Sequence, residues 1–243
     1  MMRFLIALCG YSLFVQPASG QPANKDSLFV AAATRSAIAQ HARVNNTLER
    51  LYNGPEYISY DRRLTGHAFF PNDTLQESQV TYEGGQFTVP LLYDIVKDEV
   101  VVVHPSGYRM ALHSDRLPTF TVQNHTFIRL DTVKQALPTG FYDLLYDGPT
   151  QLLARRTKVI LVNPGSFGYG IYDPRTTYYI RRNGHYFPVK TRRATLAVLA
   201  DRRKQLSAYL RQQKIRFKQA PETALVKLVQ QYDELTKPLG TRH

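Results

Sequence analysis

The fold of this chain is decided by residues 139–162, which read TGFYDLLYDGPTQLLARRTKVILV. Two extended segments, 141–146 and 150–162, flank Asp147-Gly148, a dipeptide that readily supplies the backbone angles of a tight hairpin turn. The first segment carries apolar or aromatic side chains on both faces, so other elements must cover both sides. We therefore predict a central β-hairpin, buried between neighbouring strands and the C-terminal helices.

The chain between Pro55 and Val189 has the pattern of an antiparallel sheet. Tyrosines, β-branched residues and turn dipeptides recur at short intervals, which is typical of strands joined by tight turns. The β-branched run at 100–103 favours a central strand covered on both faces. We predict further strands at 57–60, 78–83, 86–94, 99–104, 109–113, 119–122, 125–130, 178–182 and 185–189, with an irregular loop at 163–174.

Helical patterns precede and follow the predicted sheet. Residues 27–51 are rich in alanine, the best helix former, and predict one N-terminal helix. Two sets of apolar residues after Lys190 recur at helical spacing and predict two C-terminal helices that dock on the sheet. The first set is Leu196, Leu199, Leu206, Tyr209 and Leu210, and the second is Leu225, Leu228, Val229, Tyr232 and Leu235.

These patterns predict a single α+β domain over residues 21–243. It comprises an N-terminal helical segment (21–54), a curved antiparallel meander of eight or more strands (55–189) and a basic helical pair packed on the sheet (190–236). We expect the domain to form one hydrophobic unit.

Residues 1–20 have the pattern of a secretory signal peptide. Arg3 gives the positive start, residues 4–15 are apolar, and Ala18-Ser19-Gly20 provides small residues for cleavage. Cys9 is the only cysteine, so the mature chain would have none. A cysteine-free secreted domain of this size fits the periplasm or exterior of a Gram-negative bacterium, and no later segment is apolar enough to span a bilayer.

Several short stretches resemble a group of secreted proteins of unknown function from Gram-negative bacteria. These stretches are LYNGPEY at 51–57, LYD at 92–94 with DEVV at 98–101, HTFIRL at 125–130, GFYDLLY at 140–146 and YYI at 178–180. The resemblance extends over most of residues 50–236. It implies export and this architecture, and it implies no catalytic residue.

Three histidines are candidates for a catalytic or metal site. His104, His113 and His125 fall in predicted strands that are close in the chain, which could bring them together. None of the histidines has the helical spacing of a zinc site, so isolated histidines at the surface are the alternative. The sequence predicts no cofactor and no metal.

Three aspartates lie in or beside the predicted central strands: Asp94, Asp143 and Asp147. A buried carboxylate must be paired or hydrogen-bonded, and paired carboxylates can act as general acids and bases. Together with the histidines they define one alternative function, a hydrolase that uses His and Asp residues of the sheet. Structural pairing with Arg155 or Arg156 on the returning arm of the hairpin is the simpler interpretation.

Positive charge is concentrated in residues 190–218. This segment holds ten Lys or Arg residues and one carboxylate, Asp201, so it supplies +9 of the chain's net charge of +12. The predicted binding residues are Arg192, Arg193, Arg202, Arg203, Lys204, Arg211 and Lys214. A basic helix face is often only solvated, yet it also suits an anionic envelope surface, such as lipid phosphates or acidic polymer.

We therefore predict an exported cell-envelope or secreted protein that binds or supports a partner without catalysis. The partner would be an anionic envelope surface or another envelope protein. Nucleic acid is a poor partner for an exported chain.

Overall fold

Eleven antiparallel strands and three α-helices are formed by the residues that the computed structural model describes, 50–131, 137–162 and 170–237. The strands are β1 (Phe69–Phe70), β2 (Gln76–Tyr82), β3 (Gly85–Asp94), β4 (Glu99–Val103), β5 (Arg109–Ala111), β6 (Thr119–Val122), β7 (His125–Leu130), β8 (Gly140–Tyr146), β9 (Gln151–Val162), β10 (Gly170–Arg182) and β11 (His185–Val189). The helices are α1 (Arg192–Val198), α2 (Arg203–Gln212) and α3 (Pro221–Thr236).

This architecture is broadly α+β, and it confirms the prediction of an antiparallel sheet with at least eight strands. The described residues belong to one compact unit that begins at Thr47. Residues 1–49 lie outside the described residues, so the predicted signal peptide and nearly all of the predicted N-terminal helix are not covered by them.

The strand order departs from a simple meander at one point. The sheet runs β11-β10-β9-β8-β7-β6-β2-β3-β4-β5, so β6 lies beside β2 instead of β5, and β1 pairs with β3. Residues 112–118 carry the chain across from β5 to β6. Leu112 and Leu117 are buried on this crossing, at 2% and 0% exposure. The crossing therefore fills the core with two large apolar side chains that a tight β5–β6 turn would leave at the edge.

The sheet curls back on itself. The Lys158 N–H in β9 donates to the Ile95 carbonyl just after β3 (3.0 Å), although four strands separate β9 from β3 in the sheet order. The curl encloses an aromatic core. Phe127 is fully buried, with its ring centroid 4.8 Å from that of Tyr93 and 5.0 Å from that of Phe120.

The predicted strand at 57–60 is wrong. The Tyr57 and Tyr60 hydroxyls both donate to Asp94 Oδ2, each at 2.9 Å. Side chains three positions apart point to opposite faces of a strand, so this shared acceptor requires a different backbone path. Just before this stretch, Glu56 forms an isolated bridge opposite Met110 in β5.

The predicted loop at 163–174 is wrong over its second part, because β10 already begins at Gly170. Pro174 favours a loop over a central strand, since proline lacks the N–H that such a strand needs. Here it lies opposite Lys158 of β9, in the part of β10 that β11 does not reach. Proline is tolerated at such an edge. Residues 163–169 lie outside the described residues.

The predicted central hairpin is confirmed. Strands β8 and β9 pair antiparallel, with Leu144 opposite Leu153. The predicted tight turn at Asp147-Gly148 is wrong: the connection is a four-residue loop at 147–150, and Gly148 does not adopt the left-handed conformation. A Cβ atom at Gly148 would lie 2.6 Å from Asp233 Oδ2, and the Thr150 N–H donates to that oxygen (3.1 Å). The glycine is needed because α3 approaches the loop closely.

The first predicted C-terminal helix is broken into α1 and α2 by a 3₁₀ turn, Ala200–Arg202. Leu199, Leu206 and Leu210 are buried as predicted, because they pack with the other helix residues against β9, β10 and β11. At the break, Arg182 of β10 donates to the Val198 carbonyl (2.7 Å) and pairs with Asp201 (3.1 Å). This guanidinium compensates for the helical hydrogen bond that the break removes.

Candidate anion-binding site

A cleft of about 840 Å³ lies between the β11–α1 junction and the connection from α2 to α3. We call it the basic cleft. One wall is formed by residues 190–193 and the other by residues 215–219 with Pro221. Its lining residues are Lys190, Thr191, Arg192, Arg193, Ile215, Arg216, Phe217, Lys218, Gln219 and Pro221.

The first wall follows from an abrupt change from strand to helix. β11 ends at the buried Val189, and two residues later Thr191 caps α1, where its side chain accepts a hydrogen bond from the Ala194 N–H (3.2 Å). Threonine suits this position because its hydroxyl satisfies a free N–H of the first turn. Arg192 and Arg193 therefore occupy the first turn of α1, where both are exposed.

The second wall is set by the way α2 ends. The Ile215 N–H donates to the Leu210 carbonyl (3.0 Å) and the Lys214 N–H donates to the Arg211 carbonyl (3.1 Å). These are the two bonds of a Schellman motif, in which Lys214 adopts the left-handed conformation (φ 51°) that glycine usually takes. The motif turns the chain back and packs Ile215 against the apolar cluster that contains Leu210.

The basic cleft combines positive charge with an apolar surface. Ile215 and Phe217 are half-buried and pack on the helix core. Among the residues that the structure describes, no carboxylate lines the cleft and none of its cations forms an ion pair. The cations are Lys190, Arg192, Arg193, Arg216 and Lys218. Concentrated charge of one sign attracts anions, and arginine can bind the oxygens of phosphate or carboxylate in pairs.

The predicted binding residues are divided between different surfaces. Arg192 and Arg193 line the basic cleft, whereas Arg203, Lys204 and Arg211 are exposed on α2. Lys214 is exposed just after α2. Arg202 is half-buried in the 3₁₀ turn, and its Nε has no hydrogen-bond partner among the described residues. The helix break contributes to this division, because it separates Arg192 and Arg193 on α1 from the cations of α2.

Three cations of the cleft were missed: Lys190, Arg216 and Lys218. They belong to the same basic segment, 190–218, so the charge count included them. The structure places them in the connections that flank the helices, whose path the sequence does not predict.

The three candidate histidines have different partners in the fold. His125 Nδ1 lies 2.8 Å from Asp143 Oδ2. His104 stacks on Tyr108, with ring centroids 4.5 Å apart, and His113 Nε2 lies 3.3 Å from the Asn53 carbonyl oxygen. The strands therefore bring one of the three histidines to a candidate carboxylate.

Asp143 is the centre of an ion-pair network that joins the sheet to α3. The Arg156 Nε–H donates to Asp143 Oδ2 (2.7 Å), and Arg156 Nη2 lies 3.0 Å from Glu222 Oε2 on α3. The Tyr178 hydroxyl donates to the same Glu222 oxygen (3.2 Å), and burial, together with that carboxylate, raises the pKa of Tyr178 to about 12. The predicted pairing of a sheet aspartate with Arg156 is confirmed.

Arg155 has a different set of partners. Its guanidinium donates to the Pro138 carbonyl (3.0 Å) and the Tyr142 hydroxyl (3.2 Å), and it lies 3.6 Å from Asp98. Adjacent residues of a strand point to opposite faces, so the side chains of Arg155 and Arg156 lie on opposite faces of β9.

The other two candidate aspartates, Asp94 and Asp147, accept hydrogen bonds from neighbouring groups. Asp94 is fully buried and accepts four hydrogen bonds, two from the Tyr57 and Tyr60 hydroxyls and two from the N–H groups of Val96 and Lys97. Burial, reinforced by the Asp94 charge, raises the pKa of both tyrosines. Asp147 lies beside the central strand β8 as predicted, but it is exposed in the hairpin loop, where it accepts a hydrogen bond from Gln151 (2.7 Å).

Within the described residues, no group of three or more His, Cys, Asp or Glu side chains is placed to hold a metal ion. The helices of the described part of the chain are too short or too polar to cross a membrane. Comparisons with protein-family models, with curated proteins and with solved structures find no match. The resemblance to secreted proteins of Gram-negative bacteria therefore stays a prediction.

Proposed function

We propose that this protein is exported to the envelope or exterior of a Gram-negative bacterium and binds an anionic surface there without catalysing a reaction. The C-terminal helices carry the binding surface. In this proposal the basic cleft and the cations of α2 face the phosphates of the envelope surface, while the buried leucines of the same helices hold them to the sheet.

The observation that supports this proposal best is the basic cleft itself. Five cations line one cavity, and among the described residues no carboxylate neutralises them. A merely solvated helix face usually mixes the two signs of charge, because like charges repel and lower stability. Uncompensated charge at this density is better explained by an anionic partner.

A hydrolase remains the second candidate, and the His125–Asp143 contact is the observation in its favour. Two features favour a structural role for this pair. Asp143 is 1% exposed and is already paired with Arg156, and neither His125 nor Asp143 lines the basic cleft. The ion pair to α3 needs Asp143 as a fixed carboxylate, whereas acid–base catalysis needs one that reaches substrate.

Binding to lipid vesicles tests the proposal. We expect the protein to sediment with vesicles that contain an anionic phospholipid at low ionic strength and to be released toward physiological salt, where the screening length falls to about 8 Å. Vesicles of zwitterionic lipid are the control and should retain little protein. No binding to anionic vesicles at low salt, or equal binding to both kinds, would rule out the proposed function.

A further inference from the structure

We infer that the basic cleft holds the phosphate headgroup of a single lipid molecule, with the beginning of its acyl chains against Ile215 and Phe217. This inference rests on the proposed function and makes it more specific. It assigns the cleft to one bound lipid and leaves the exposed cations of α2 to general attraction toward the surface.

The arrangement of charge favours one compact anion. The cations stand on two facing walls: Lys190, Arg192 and Arg193 on one, Arg216 and Lys218 on the other. Facing walls can approach a phosphate from opposite sides. The cations of α2, by contrast, lie on a single convex helix, which suits diffuse attraction to many charges.

The apolar part of the cleft distinguishes a lipid from other anions. Ile215 and Phe217 keep part of their surface in the cleft although both pack on the helix core. Inorganic phosphate and acidic polysaccharide offer no apolar group to cover this surface. A lipid does, because its acyl chains begin only a few bonds from its phosphate, and burial of apolar surface is favourable in proportion to its area.

The size of the cleft agrees with this ligand. Its volume of about 840 Å³ lies in the range of small-molecule sites, about 300–1,000 Å³. A lipid headgroup with the start of its chains fits that space, and the remaining chain length would stay in the membrane. The Schellman motif at Lys214 fixes the second wall by two backbone hydrogen bonds, so the site exists before the ligand arrives.

Calorimetric titration with short-chain lipids below their micellar concentration tests the inference. Dihexanoyl phosphatidic acid should bind the wild-type protein about tenfold or more tightly than either inorganic phosphate or dihexanoyl phosphatidylcholine does. The first comparison measures the contribution of the chains and the second that of the charge. Equal affinity for phosphatidic acid and inorganic phosphate would overturn the inference, because the apolar surface would then have no role.

Two variants locate the site. The double variant Arg193→Gln with Arg216→Gln removes one cation from each wall of the cleft. It should weaken phosphatidic acid binding by about tenfold or more, because hydrogen bonds between charged groups contribute strongly to the binding free energy. Both side chains are exposed, so the variant should fold. Arg175→Gln with Arg181→Gln is the matched control, which removes two exposed arginines from β10, outside the cleft. Equal losses in the two variants would overturn the inference.

The outcome also separates this inference from the proposed function. If anionic vesicles retain the wild-type protein while short-chain phosphatidic acid does not bind, the single-lipid site is wrong and the surface attraction stands. If neither binds, both are wrong. Phe217→Ser adds a specific readout, because it should weaken binding of phosphatidic acid and leave inorganic phosphate unaffected.

Discussion

Replacing Phe127 with alanine is expected to lower the free energy of unfolding by about 3–5 kcal/mol, a large part of the roughly 5–15 kcal/mol typical of a whole domain. Phe127 is fully buried in β7. Its ring meets those of Tyr93 (4.8 Å) and Phe120 (5.0 Å), where the curled sheet closes on its core. Truncation would leave a cavity lined by rigid rings, which cannot collapse to fill it. Urea unfolding of the variant measures the loss.

Phe187→Ala is the matched control for this prediction. Phe187 is also a phenylalanine in a strand, but it is 39% exposed at the edge of the sheet in β11, so its truncation should cost far less. If Phe127→Ala does not fold, Phe127→Leu provides a milder loss that can still be measured. Equal effects at the two positions would show that Phe127 does not lie at the centre of the core.

Replacing Arg156 with methionine is expected to lower the free energy of unfolding by about 3–5 kcal/mol, because it removes the guanidinium from the buried Asp143 carboxylate and leaves that carboxylate its contact with His125. Arg156 is 12% exposed and Asp143 1% exposed, so water cannot take over the role of the guanidinium. Arg156 also binds Glu222, so its loss weakens the attachment of α3 to the sheet. Chemical unfolding of the variant is the measurement.

Two further variants make this prediction specific. Arg175→Met breaks an exposed ion pair with Asp173 and should change stability by only about 0–1 kcal/mol. Adding Asp143→Asn to Arg156→Met removes the buried charge that has lost its guanidinium partner and should recover part of the loss. The ion-pair account fails if Arg156→Met costs no more than Arg175→Met.

Much of the sheet could be predicted because its signals are local. Alternating apolar residues and turn dipeptides predict β6, β7 and β11 with their observed bounds, and Asn183 and Gly184 turn the last hairpin in the left-handed conformation that this dipeptide favours. The crossing from β5 to β6 could not be predicted in this way. It depends on where Leu112 and Leu117 find space in the core, which is a property of the assembled sheet.

The positive charge of the candidate site could be predicted from the sequence, but the shape of the basic cleft could not. The excess of cations in residues 190–218 is visible in the sequence. The cleft depends on a helix break that a distant residue, Arg182, stabilises through the Val198 carbonyl and Asp201. It also depends on a helix end that uses Lys214 where glycine would have been the recognisable signal. Neither the helix break nor this helix end produces a periodic pattern in the sequence.

The most direct test of the central claim is to compare three proteins on anionic vesicles at one low salt concentration: the wild type, Arg193→Gln with Arg216→Gln, and the control Arg175→Gln with Arg181→Gln. Both variants lose two positive charges, so any difference between them reports the position of the charge and not its amount. The fraction that sediments with the vesicles is measured. We predict that the cleft variant loses most of its binding while the control stays close to the wild type; equal retention of the two variants would contradict a binding site in the basic cleft.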